Sequence, residues 1–117
     1  MRRTPLRRYK GFGRPKFGNV ETKVLGILFR SKLEANHALY LESERQKGRI
    51  KGWRYEVPIA LHAKGGGKVG DYIVDFEVDM GDYKEWHEVK GMWTDLARWK
   101  VKHCRLEYNR IVRIIKN

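Results

Sequence analysis

The chain has 117 residues, enough for one folded domain with a single modest core. Its 41% hydrophobic and 12% aromatic residues exclude a disordered chain, and no apolar run approaches the roughly 20 residues that span a bilayer. Lys and Arg number 26 against 14 Asp and Glu, and this formal charge of +12 predicts a polyanionic partner, with nucleic acid favoured over a membrane surface.

The first 19 residues are predicted to form a flexible basic arm ahead of a folded domain, residues 20–117. This stretch has no acidic residue, and its prolines and glycines interrupt any helical or strand pattern. An ordinary disordered terminus that tolerates charge is the alternative. The cations predicted to neutralise DNA phosphates are Arg2, Arg3, Arg7, Arg8, Lys10, Arg14 and Lys16.

An apolar run, residues 24–29, predicts an edge strand that leads into a helix. Ser31 is a good N-cap, helical spacing continues to about Arg45, and Gly48 lies just beyond the end. Arg30 and Lys32 flank the start of this helix and are predicted to contact phosphates.

Strict alternation of apolar and polar residues over 53–62 is the clearest strand signal. Pro58 cannot donate to a ladder, so it predicts an edge or bulged position. A glycine-rich hairpin loop follows, in which Lys64 and Lys68 are predicted to touch the DNA backbone. Two more strands, residues 71–79 and 83–90, are joined by a tight turn at residues 80–82.

Thr94 is predicted to cap a last helix that runs to about Tyr108 and carries Leu96, Trp99, His103 and Leu106 on one face. A short apolar strand, residues 111–115, completes the chain. The order of strand, helix, three strands, helix and strand predicts an α/β fold, a mixed β-sheet flanked by helices in one domain.

Three ionisable residues are predicted to converge at one end of this sheet. Glu88 and Lys90 share a face of their strand because side chains alternate, and Asp75 lies on the neighbouring strand. Two carboxylates beside an ammonium group suit a Mg²⁺ site that activates water. The alternative is a cross-strand Glu–Lys pair on a solvated sheet face, which is common in a chain with 34% charged residues.

Glu34 has two interpretations. Ser31 and Glu34 fit a capping box, in which the carboxylate only satisfies the start of the helix. The glutamate could also point into the predicted metal site, and both hypotheses stay open.

An ordered set of motifs resembles the PD-(D/E)XK nuclease superfamily, in particular small phage-encoded endonucleases and Holliday junction resolvases of the bacteriophage endonuclease I type. The set comprises Gly26–Glu34 (GILFRSKLE), Tyr72–Phe76 (YIVDF) and Glu88–Thr94 (EVKGMWT), and the resemblance covers about residues 24–116. Val74 stands where the literal motif has proline.

The resemblance implies a restriction-endonuclease-like fold and a Mg²⁺-dependent hydrolase of DNA phosphodiester bonds, with Mn²⁺ able to substitute. It implies that Glu34, Asp75 and Glu88 hold the metal and that Lys90 helps to activate water. A role in DNA recombination and repair, a homodimer that cuts a four-way junction twice, and a location in the host cytoplasm are the corresponding expectations; the single cysteine also favours a reducing compartment.

Two other functions remain open. One is a nicking or restriction-type nuclease that acts on linear duplex DNA. The other is a non-catalytic nucleic-acid-binding protein that uses the same positive charge without a metal. The sequence does not specify the preferred DNA structure, the number of metal ions or the dimer contact.

Overall fold

Strands and helices follow one another in nearly the predicted order. The structure is a computed structural model that describes residues 21–89 and 94–116, so the predicted basic arm lies outside the described residues. The elements are β1 (Thr22–Val24), β2 (Ile27–Phe29), α1 (Lys32–Gln46), β3 (Gly52–His62), β4 (Lys68–Asp79), β5 (Lys84–Val89), α2 (Asp95–Tyr108) and β6 (Val112–Ile115).

The main sheet has the strand order β3-β4-β5-β6. The first three strands pair antiparallel through short hairpins, whereas β6 pairs parallel to β5. A parallel pair needs a crossover, and α2 supplies it between β5 and β6. The predicted single α/β domain with a mixed sheet is confirmed, and β3, which contains Pro58, lies at the edge of the sheet as expected.

Both helices begin at their predicted caps. The hydroxyl of Ser31 accepts a hydrogen bond from the Glu34 amide, and that of Thr94 accepts one from the Ala97 amide, each at 3.1 Å. These bonds satisfy amides that have no partner within the helix. No helix among the described residues has the length and apolar character needed to cross a membrane.

The core divides into two clusters, one packed with α1 and the other with α2. Tyr55 belongs to the first cluster and Val57 to the second, although residues two apart share a face of a regular strand. Glu56, between them, has a φ of 56°, in the left-handed region that side chains seldom adopt. We infer that this local break lets β3 pack on α1 at one end and on α2 at the other.

The prediction of one strand over residues 24–29 is wrong in detail. Residues 22–29 form a two-stranded hairpin, in which Val24 pairs with Ile27 across Leu25 and Gly26. Both turn residues have positive φ, 54° and 74°, which is the geometry of the tight hairpin turns that match strand twist. The sequence does not reveal this turn, because leucine is uncommon in tight turns and the run around it is apolar.

The outward face of α2 is apolar and exposed. Leu96, Trp99 and Leu106 share a face as predicted, but they are 62%, 53% and 74% exposed. The helix is instead packed through two small side chains, Val101 and Cys104. Small residues at the contact let a helix lie close to a sheet surface that already carries the bulky Trp86.

Candidate active site

Two of the predicted acidic residues lie on neighbouring strands, and a third lies at the start of a helix. Asp75 is in β4, Glu88 is the penultimate residue of β5, and Glu34 is in the first turn of α1. They are 1%, 2% and 0% exposed. Lys90, the fourth predicted catalytic residue, lies outside the described residues.

A buried arginine joins two of these carboxylates. The Arg30 Nη2 atom is 3.0 Å from Asp75 Oδ1 and 3.4 Å from Glu34 Oε2, and Arg30 Nε is 3.3 Å from Glu56 Oε2. Burial alone disfavours the charged guanidinium, but the negative charges of Glu34 and Asp75 outweigh it and raise the pKa of Arg30. Three acidic groups from α1, β3 and β4 are therefore held around one permanent cation.

Glu34 makes more contacts than a helix cap requires. Its Oε1 atom accepts hydrogen bonds from the Tyr55 hydroxyl at 2.6 Å and from the Arg30 amide at 3.1 Å. The carboxylate thus reaches the amide one residue before the N-cap, as well as the Arg30 guanidinium. Burial, followed by the negative charge of Glu34, raises the pKa of Tyr55, so this hydroxyl stays a donor.

Asp75 ties β4 to the end of β5. Its Oδ2 atom accepts a hydrogen bond from the Val89 amide at 2.8 Å. The last regular cross-strand pair of β4 with β5 is Phe76 with His87, so this side-chain bond continues the contact between the strands past that pair. Its other oxygen contacts Arg30. The carboxylate is therefore held on one side by strand backbone and on the other by a cation, so its orientation is set by two elements.

Glu88 is held by a different partner, the hydroxyl of Tyr72, which donates a hydrogen bond to Glu88 Oε1. Burial raises the pKa of Tyr72, and the negative charges of Glu88 and Asp75 raise it further. Glu34 and Asp75 are joined through Arg30, whereas Glu88 is held by the Tyr72 hydroxyl.

The donor chemistry of Asp75 and Glu88 fits a hard divalent cation. Mg²⁺ needs only one or two carboxylates, with water and phosphate oxygens completing its shell. Within residues 21–89 and 94–116, no three His, Cys, Asp or Glu side chains are gathered to hold a metal ion. The Arg30 guanidinium lies between Glu34 and Asp75, and the role of Glu34, Asp75 and Glu88 as metal ligands stays a prediction.

Sequence reasoning missed the partners of the carboxylates. Tyr55 and Tyr72 matched ordinary strand positions, and Glu56 matched the solvent side of an alternating strand. Nothing local marks them, since their contacts come from residues 16 to 26 positions away. Arg30 was predicted to contact phosphate, and this is wrong for the described conformation because its side chain is buried among carboxylates.

The other predicted DNA contacts divide into two groups. Lys32, Lys64 and Lys68 are exposed, and Lys68 lies 3.0 Å from Asp71. The seven cations of residues 1–19 lie outside the described residues. Exposed cations therefore remain available at the start of α1 and at the hairpin loop.

A buried pair of histidines links α1 to β5 beside this cluster. His37 Nε2 and His87 Nδ1 form a hydrogen bond of 2.9 Å, and His87 Nε2 is 3.0 Å from Glu85. Burial and the neighbouring His87 lower the pKa of His37 to about 4, although Asp75 opposes the shift. Burial also lowers the pKa of His87, although Glu85 opposes that shift. The pair is therefore neutral in the folded protein near neutral pH.

Comparison with known proteins adds no relative: no family model, no curated protein and no solved structure matches the chain.

Replacing Arg30 with methionine is expected to destabilise the fold by about 3–5 kcal/mol, because it leaves buried carboxylates without their cation. The free energy of unfolding from urea denaturation measures the effect. The matched control is Arg49→Met, which removes a surface pair with Glu44 (3.1 Å) and should cost under about 1 kcal/mol. Equal losses in the two variants would contradict the structural role of Arg30.

Stability should also fall as the pH drops from 6.5 towards 4. In the unfolded chain His37 binds a proton near its ordinary pKa of 6.5, whereas the folded side chain does so only at about 4. Each such proton contributes about 1.4 kcal/mol per pH unit, so His37→Gln should flatten the stability profile in this window. Asn36→Gln, an exposed change on the same helix, is the control. A His37→Gln profile parallel to that of the parent would refute the assignment.

Proposed function

We propose that the protein is a Mg²⁺-dependent DNA endonuclease that hydrolyses phosphodiester bonds, selectively in branched DNA. The observation that carries this proposal is the burial of two carboxylates from adjacent strands, Asp75 and Glu88, in a protein of net charge +12. The ordered motifs that resemble the PD-(D/E)XK nucleases support the same conclusion.

Buried acidic groups need an explanation beyond stability. Taking a charged group out of water costs several kcal/mol, and buried ion pairs often contribute nothing net to folding. Asp75 and Glu88 also repel a DNA backbone that the rest of the protein attracts. A function that needs oxygen ligands close to phosphate accounts for both costs.

The chain's own residues would act by positioning. Asp75 and Glu88 would hold Mg²⁺, whose chemistry is to polarise the scissile phosphate and to lower the pKa of the attacking water. The Val89 amide and the Tyr72 hydroxyl fix the directions of these two carboxylates. Glu34 keeps Arg30 in place, and Lys90 is proposed to orient the attacking water.

The DNA backbone would be held by the exposed Lys32, Lys64 and Lys68 and by the cations of residues 1–19. Contacts to phosphates carry no sequence information, which suits an enzyme that recognises a shape. Cutting a four-way junction symmetrically takes two active sites, so we propose a two-fold homodimer with one site in each subunit.

A non-catalytic DNA-binding protein is the second candidate. The observation that favours it is the Arg30 guanidinium between Glu34 and Asp75, which already neutralises carboxylates that a metal would otherwise neutralise. Such a protein would bind DNA with a steep salt dependence and would cut nothing in the presence of Mg²⁺ or Mn²⁺.

Replacing either strand carboxylate should abolish cleavage and spare binding. Asp75→Asn and Glu88→Gln keep the side-chain shape but remove a metal-binding charge, so we expect cleavage with Mg²⁺ to fall by about a hundredfold or more. Cleavage of labelled DNA on denaturing gels and fluorescence anisotropy for binding separate the two activities.

The matched control is Asp82→Asn, an exposed carboxylate in the turn between β4 and β5, which should cut like the parent. If both site variants also cut like the parent, the site is wrongly assigned. If the parent cuts no DNA with either metal, the binding protein is the better description.

Substrate choice is tested with an immobile four-way junction and a linear duplex that has the same arm sequences. We expect faster cleavage of the junction, because two active sites related by a two-fold axis match a branched substrate better than a straight one. Equal rates on both substrates would instead favour the nicking or restriction-type nuclease.

A further inference from the structure

The outward face of α2 exposes several large apolar side chains to solvent. Leu96, Trp99 and Leu106 stand on it, each more than half exposed, while Val101 and Cys104 make the packing contact on the other side. Scattered single apolar residues are ordinary, but three on one helical face form a patch. The patch extends over two to three turns, about 15 Å.

The surroundings of this face are strongly basic. A cleft of about 510 Å³ opens beside Leu106 between α2 and the start of β6, and its lining includes Lys102, Arg105 and Arg110. The described lining residues include no carboxylate. Arg110 is fixed in place, since its guanidinium lies over the Trp86 ring at 4.6 Å and 3.6 Å from Glu77.

A second cleft, of about 620 Å³, is lined by residues of α1, β3, β4 and β5. Its arginines are matched by acidic groups, with Arg45 paired to Glu42 and Arg54 paired to Glu77. In the cleft beside α2, Arg110 is matched by Glu77 in the same way, but the lining itself contains Lys102 and Arg105 and no carboxylate. The cleft beside α2 is therefore the more positively charged of the two.

Charge complementarity decides which occupant fits the α2 face. A second copy of the chain would bring two sets of Lys102 and Arg105 together in a protein of net charge +12, which is unfavourable. A duplex offers phosphates but hides the faces of its bases. A single strand offers both phosphates for the cations and base faces for an exposed tryptophan.

We propose that the outward face of α2 and the adjoining basic cleft bind single-stranded DNA, with a base stacked on Trp99 and phosphates paired with Lys102 and Arg105. The proposal deepens the proposed function and rests on it for the choice of DNA as the nucleic acid. Seven residues separate Trp99 from Leu106, about 10 Å along the helix, which accommodates two or three nucleotides. The single-stranded arm of a flap or a fork would then be recognised through α2.

Binding by the full-length protein, without divalent metal, tests the proposal. Fluorescence anisotropy compares a labelled single strand with the duplex of the same sequence for Trp99→Ala, Trp99→Phe and Lys102→Gln/Arg105→Gln. We expect Trp99→Ala to weaken single-strand binding by about fivefold or more and Trp99→Phe to retain it. The double variant should reduce the salt slope by about 1.4, at roughly 0.7 per phosphate contact.

The controls are Tyr83→Ala, an aromatic residue of similar exposure at the turn before β5, and Lys47→Gln/Arg49→Gln, two cations at the end of α1. Both should bind the single strand like the parent. Circular dichroism and the melting temperature verify that every variant is folded.

Three results would overturn the proposal. The first is a Trp99→Ala variant that binds the single strand as tightly as the parent does. The second is a parent that binds anionic lipid vesicles through Trp99 but does not bind DNA. The third is a parent that sediments as a dimer and that Trp99→Ala converts to a monomer. Failure of the proposed endonuclease is a separate outcome, since a protein that cuts nothing can still bind a single strand through Trp99.

Discussion

The interaction on which the candidate site depends is the buried guanidinium of Arg30. It contacts Glu34 from α1, Glu56 from β3 and Asp75 from β4, so three elements distant in the chain meet at one cation. Without that cation, three buried acidic groups would repel one another in a medium of low polarity. Arg30 thus helps to hold α1 against the sheet and, together with the Val89 amide, sets the direction of Asp75.

A division within the sheet complements this interaction. The positive φ at Glu56 changes the direction of the β3 side chains. As a result β3 and β4 contribute to two hydrophobic clusters, the first packed against α1 and the second against α2. Asp75 lies next to this division on β4, between Val74 in one cluster and Phe76 in the other. Asp75 therefore lies at the boundary between the two clusters.

The distribution of charge relates the centre to its surroundings. The net charge of +12 favours a polyanion near the surface, whereas three carboxylates are buried around Arg30. In the proposed nuclease, this arrangement would bring a phosphate close to carboxylates that could hold Mg²⁺. In the proposed single-strand contact, the exposed face of α2 would add aromatic surface on which bases could stack.

The sequence by itself determined the local structure. Hydroxyl side chains at Ser31 and Thr94 set where the helices begin, alternation set the long strand β3, and residues 64–68 set its hairpin, because each signal acts within a few neighbouring residues. Spacing also placed Asp75 and Glu88 on adjacent strands. Only the tertiary structure decided that Arg30 turns inward, that Tyr72 and Tyr55 hold the carboxylates, and that α2 packs through Val101 and Cys104. These outcomes follow from contacts between residues distant in the chain, whose energies depend on which surfaces meet and leave no periodic trace in the sequence.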